Sequence, residues 1–161
     1  GIEIQNGGAS GGYPDFPDIQ MRAVEALSQD IVRRHTIAPE RVLGHSDIAP
    51  GRKIDPGEKF DWHRLARAGL GHWVHPSPLA TAEQGLGPDA EHPSVLRLQS
   101  LLAAYGYAIA PTGLLDKPTA TVVRAFQRHF RPARVDGRID ASTLATAERL
   151  VAALAHLPPS A

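Results

Sequence analysis

Cysteine is absent from the 161 residues, which excludes disulfides and zinc–thiolate sites. Any metal held here must therefore use histidine and carboxylate ligands. Aromatic residues make up only 6% of the chain, too few for a base-stacking platform. Charge of one sign is also lacking: 17 Lys and Arg balance 17 Asp and Glu, so no global field draws the chain to nucleic acid or anionic lipid. No stretch approaches the ~20 apolar residues of a membrane span. Neither a secretory leader nor an initiator methionine is seen. The opening Gly1-Ile2-Glu3-Ile4 reads as a strand without a lead-in, which predicts a cut or processed product missing an upstream segment. What remains is a soluble, globular composition, 42% hydrophobic against 21% charged, at a length that suits one domain or two small ones.

Three regions separate along the chain. Residues 1–75 mix strand, helix and loop signals. Ile2 and Ile4 alternate around Glu3, and Val42-Leu43-Gly44-His45 reads as a short buried strand ending at a histidine. Between them, Pro17 and Asp18 suit a first helical turn, and Ile19, Ala23, Leu27 and Ile31 mark one helical face. The expected fold is an α/β fragment with a mixed sheet, too thin to stand as a whole domain. Residues 76–93, rich in proline and without apolar periodicity, read as a linker. Residues 94–157 predict a small all-α domain of three helices. Within it, Gly113-Leu-Leu-Asp116-Lys-Pro-Thr119 is echoed by Gly137-Arg-Ile-Asp140-Ala-Ser-Thr143. In each copy, glycine permits a tight turn and aspartate is placed to cap the next helix.

Chemistry concentrates in Gly44-His45-Ser46-Asp47-Ile48-Ala49-Pro50-Gly51-Arg52-Lys53-Ile54-Asp55-Pro56-Gly57. A catalytic zinc uses about three protein ligands and leaves one position open. His45 and Asp55 are two candidates. Lys53 is suited to hold a developing oxyanion, and Glu3, on its own segment, to take a proton from the attacking water. His and Asp on a loop also serve as ordinary turn and capping groups, so spacing by itself leaves both readings open. Asp47 is read as fastening this loop, and Trp62 and Trp73 as packing groups. His72 and His75 have ligand-like spacing, but beside a proline-rich stretch they read as solvated or packed.

The same stretch resembles the type-2 zinc family of N-acetylmuramoyl-L-alanine amidases, in its AmiD-like branch, where G-H-S-D-x-A-P-x-R-K-x-D-P-G is a long signature. The likeness extends from Gly1-Ile2-Glu3-Ile4 to Gly69-Leu-Gly-His-Trp73. It implies that His45 and Asp55 are Zn2+ ligands, Glu3 the general base and Lys53 the oxyanion stabiliser. The family's remaining ligand, a histidine on an early strand, would fall before Gly1, so this chain alone is expected to be inactive and to need the N-terminal segment of the same protein as a partner.

Residues 94–157 are similar to the type 1 peptidoglycan-binding domain through Val95, Leu98-Gln99, Leu102, Gly106-Tyr107, Gly113, Asp116, Phe126-Gln127, Val135-Asp136-Gly137 and Asp140. A groove of Gln99, Tyr107, Gln127 and Arg128 is the expected contact with wall glycan or peptide. The function implied is hydrolysis of the amide between N-acetylmuramic acid and L-alanine, in the periplasm or envelope of a bacterium. The alternative is a non-catalytic peptidoglycan-binding protein carrying an amidase remnant.

Overall fold

A computed structural model describes residues 1–80 and 82–154. The last three positions of the 94–157 range, and Thr81 of the 76–93 stretch, lie outside the described residues. Among these residues six α-helices follow in order: α1 (Asp18–His35), α2 (His45–Ile48), α3 (Trp62–Arg67), α4 (Pro93–Tyr105), α5 (Lys117–Phe130) and α6 (Ala141–Leu154).

The expected sheet is not there. Among the described residues no strand forms, and β-type pairing is confined to three isolated bridges, Pro50 with Lys53, Leu86 with Ile139 and Glu91 with Leu114. Alternation of Ile2 and Ile4 reports an extended backbone with one apolar side, but a strand also needs a neighbour to take its N–H and C=O groups. Among the described residues, none pairs with residues 1–6 in this way. Ile4 packs on an apolar cluster, and the carbonyl of Gln5 accepts from the Gln20 side chain at 2.7 Å. At Val42–Gly44 the chain is extended, then turns directly into α2, so His45 begins a helix rather than ending a strand.

Helix α1 also turns a different face inward. Met21, Val24 and Ser28 are buried, while Ile19 is 73% and Leu27 47% exposed. The cause lies on α3. Arg64 donates to Asp18 at 2.6 Å and to Glu25 at 2.5 Å, and these carboxylates share the Met21–Ser28 face at helical spacing. Helix α1 is thereby held with Met21 and Val24 on Phe60, Trp62 and Leu65.

A larger core gathers α4, α5 and α6 around Val95, Leu98, Leu102, Val123, Phe126 and Phe130. Both predicted aspartate caps form: Asp116 accepts from the Thr119 amide at 2.8 Å, and Asp140 from the Thr143 amide at 2.7 Å. The proline-rich stretch is bonded along this bundle. Ser77 exchanges hydrogen bonds with Ser142 and Thr146, and Arg138 donates to the carbonyls of Gln84 and Gly85. Trp73 packs against both cores, joining the two halves of the chain.

His72 is buried at the same junction, its Nδ1 3.0 Å from the Tyr105 hydroxyl. Burial pushes its pKa below the ordinary histidine value, with Glu40 opposing the shift and His129 adding to it. The unfolded chain therefore binds a proton here more readily than the folded one. The stability this confers is present above the ordinary histidine pKa of about 6.5 and is lost as pH falls toward the lowered folded value. Urea unfolding at pH 7.5 and at pH 5.5 checks this: wild type should lose more stability on acidification than His72→Gln does. Equal losses would show that His72 is not the group responsible.

Candidate active site

The site is assembled by one folded-back loop. Gly44 precedes α2, whose first residue is His45, and the amide of Ser46 donates to the carbonyl of Asp55 at 3.0 Å. Between them the chain reverses, with the amides of Arg52 and Lys53 both donating to the Ala49 carbonyl. Gly51 lies in this turn at φ +80°, and a Cβ there would meet the Thr121 methyl of α5 at 2.8 Å, so glycine suits both the backbone and the packing. The result brings residues ten apart in sequence side by side: His45 Nδ1 lies 2.5 Å from Asp55 Oδ2.

Both side chains remain about half exposed, at 49% and 53%. Burial tends to raise the Asp55 pKa. The hydrogen bond and charge of His45, together with the charge of Lys53, outweigh it and hold the carboxyl below its usual range. Imidazole nitrogen and carboxylate oxygen are both zinc donors, and here the two meet in a direct hydrogen bond at the surface. Among the described residues no third His, Asp or Glu joins them. By donor type the pair suits two ligands of a metal site.

His45 and Asp55 open onto a cavity of about 580 Å³. Glu3 lines it too, so the extended N-terminal segment brings its carboxylate to the same space without being part of a sheet. Val24, Ile31 and Val32 of α1 and Phe60 form apolar wall. Lys53 is exposed and outside that wall; its link to the site is through Asp55. The structure thus gathers Glu3, His45 and Asp55, with Lys53 alongside.

Asp47 does more than fasten the loop. Its side chain is 4% exposed and accepts three hydrogen bonds: from the Gly44 amide at 2.9 Å, the Tyr107 hydroxyl at 2.7 Å and His129 Nδ1 at 2.8 Å. Tyr107 and His129 belong to the second half of the chain, so this carboxylate clamps α5 against α2. Burial tends to raise its pKa, yet the His129 charge and the three hydrogen bonds bring it below the usual carboxylate range. The Tyr107 phenol is pushed well up by burial and by the adjoining Asp47 charge. Trp62 stacks on the His129 ring at 3.9 Å, so it packs as expected, against an unexpected partner.

The expected groove of Gln99, Tyr107, Gln127 and Arg128 does not form. Gln99 and Gln127 are fully buried and act as matched staples. The Gln99 carbonyl accepts from the amides of Thr112 and Gly113, and its NH2 donates to the Leu114 carbonyl and the Thr119 hydroxyl. Gln127 repeats this on the amides of Asp136 and Gly137, the Arg138 carbonyl and the Thr143 hydroxyl. A buried amide must satisfy its polar atoms internally, which leaves none for a ligand. Tyr107 is likewise spent on Asp47. Arg128 is half-buried and lines the same cavity as Glu3, His45 and Asp55.

A fold in which a signature loop presents His and Asp to a cavity, with a helical bundle clamped behind it, matches known proteins. Residues 1–58 match the N-acetylmuramoyl-L-alanine amidase family, and residues 91–146 the family described as "Putative peptidoglycan binding domain". N-acetylmuramoyl-L-alanine amidase AmiD of Escherichia coli (strain K12) is 39% identical over 156 residues, covering 94% of this chain and 56% of that protein. The structure of E. coli AmiD in complex with the substrate anhydro-N-acetylmuramic acid-L-Ala-D-γ-Glu-L-Lys superposes with a TM-score of 0.71 at 37% identity, over 88% of this chain and 54% of that one. AmpDh3 from Pseudomonas aeruginosa gives a TM-score of 0.67 at 37% identity, over 86% and 54%. Residues 1–58 belong to the N-acetylmuramoyl-L-alanine amidase family, and the chain spans about half the length of these relatives.

Proposed function

We propose that this chain forms part of a zinc-dependent amidase that hydrolyses the bond between N-acetylmuramic acid and L-alanine in peptidoglycan or muropeptides. The observation that carries this reading is the meeting of His45 and Asp55 at 2.5 Å on the cavity that Glu3 also lines, within the family-matched residues. The substrate in the E. coli AmiD complex, an anhydro-muramyl peptide, is the class of ligand proposed here.

In this reading residues 1–75 serve catalysis and residues 94–157 hold the wall, which keeps substrate near the site. His45 and Asp55 would hold zinc together with a third donor, a histidine from a segment upstream of Gly1. Bound zinc would polarise the scissile carbonyl and acidify water. Glu3 accepts the proton of the attacking water and passes it to the departing amide nitrogen. Lys53, beside Asp55, offers its charge to the oxygen on which negative charge develops. The substrate sets the compartment: the periplasm or envelope of a bacterium.

The test measures zinc content and release of free stem peptide from anhydro-muropeptide, using this chain alone and mixed with the upstream segment. About one zinc per chain and turnover, both in the mixture only, is the expected result. If the mixture stays metal-free and inactive while the chain still sediments with sacculi, the amidase reading fails and a non-catalytic wall-binding protein replaces it.

A further inference from the structure

The cavity beside His45 takes part of its wall from the other half of the chain, through Arg128 of α5. The backbone carrying Arg128 is fixed on both sides. Gln127 before it is stapled to residues 136–138, and His129 after it is bonded to Asp47, two residues beyond His45. Arg128 thus reaches the cavity from a rigid helix. Among the described residues it has no carboxylate within ion-pair distance, whereas Arg97, Arg131 and Arg134 each face one.

The cavity is otherwise poor in positive charge. Glu3, Asp55 and Glu58 line it, against Arg41 and Arg128. Arg41 is exposed and ends the short turn Pro39–Arg41, with no helix behind it. An anionic ligand entering among three carboxylates needs a fixed cation, and a guanidinium fork matches a carboxylate in two parallel hydrogen bonds.

The geometry points to Arg128 as the residue that binds the free α-carboxylate of the γ-linked glutamate in the stem peptide. This rests on the muropeptide substrate proposed above: a glutamate linked through its γ-carbon leaves its α-carboxylate free, one residue past the alanine of the scissile amide and so nearer the cleaved bond than the terminal lysine carboxylate. The helical bundle then contributes to substrate selection at the cleavage site, apart from any hold on the wall. Arg128 is a specificity-determining residue in this account and takes no part in proton transfer.

Calorimetric titration of the metal-free chain tests it without cleavage. The probes are anhydro-N-acetylmuramyl-L-Ala-D-γ-Glu-L-Lys and the analogue whose glutamate α-carboxylate is a carboxamide. Wild type should bind the acid about tenfold to a hundredfold more tightly than the amide. Arg128→Ala should remove that preference by weakening the acid alone, and Arg128→Lys should keep part of it. Among the described residues Arg128 forms no ion pair, and a matching circular dichroism spectrum and urea midpoint confirm that each variant folds. Three results overturn the proposal: a preference that survives Arg128→Ala, one lost instead in Arg41→Ala, or wild type that binds neither probe or both equally. The amidase reading fails separately. A chain that prefers the acid yet shows neither zinc nor turnover in the earlier test keeps Arg128 as the carboxylate site and loses the enzyme.

Discussion

Asp47→Ala should lower the stability of the folded chain by about 3–5 kcal/mol, read from urea unfolding at pH 7. The size follows from what the substitution leaves behind. Three donors converge on this carboxylate, and two of them, the Tyr107 hydroxyl and His129 Nδ1, come from buried residues of the other half of the chain. Alanine leaves them without an acceptor in a place water does not reach, and each such group costs about 1–3 kcal/mol. Tyr107→Phe removes one donor and leaves the carboxylate its other two, so its loss should be only about 1 kcal/mol. A loss below about 1 kcal/mol for Asp47→Ala would mean that α5 and α2 are not clamped together in solution. It would also undercut the placement of Arg128, which follows from the same contact.

That clamp was beyond the reach of sequence reading because its members are 60 and 82 residues apart. One signal was available. His129 falls three residues after Phe126 and seven after Val122, on the buried face of α5, where a polar ring needs a partner. The pattern shows the need and not the partner, which Asp47 supplies from a distant loop. His45 and Asp55 were easier to read, since a single short loop carries both and a backbone hydrogen bond from Ser46 to Asp55 closes it. Gln99 and Gln127 misled for a physical reason. Each lies on the helix ahead of a repeated glycine–aspartate turn, and a long polar side chain there reads equally as a ligand contact or as a staple. Burial decides between them, and both are fully buried. The sheet failed as an expectation because alternation in Ile2 and Ile4 describes one segment, whereas pairing is a property of two.

His45→Ala should abolish zinc binding and reduce muropeptide turnover by roughly a thousandfold or more, measured in the mixture with the upstream segment. Polarisation of the carbonyl by a metal is worth several kcal/mol, and each 1.36 kcal/mol is a factor of ten. Asp55→Ala should behave alike, because its carboxylate meets His45 at 2.5 Å and the two form one donor pair. Glu3→Gln separates holding the metal from moving the proton. Glu3 lines the same cavity but is not part of the His45–Asp55 hydrogen bond, so this variant should keep its zinc and lose about a hundredfold to ten-thousandfold in turnover. Folding is not at issue in any of the three, since His45 and Asp55 are about half exposed and Glu3 is accessible. Zinc retained at full occupancy in His45→Ala would remove the histidine from the metal site. Wild-type turnover in Glu3→Gln would move the general base elsewhere, with Glu58 on the same cavity wall as the next carboxylate to replace.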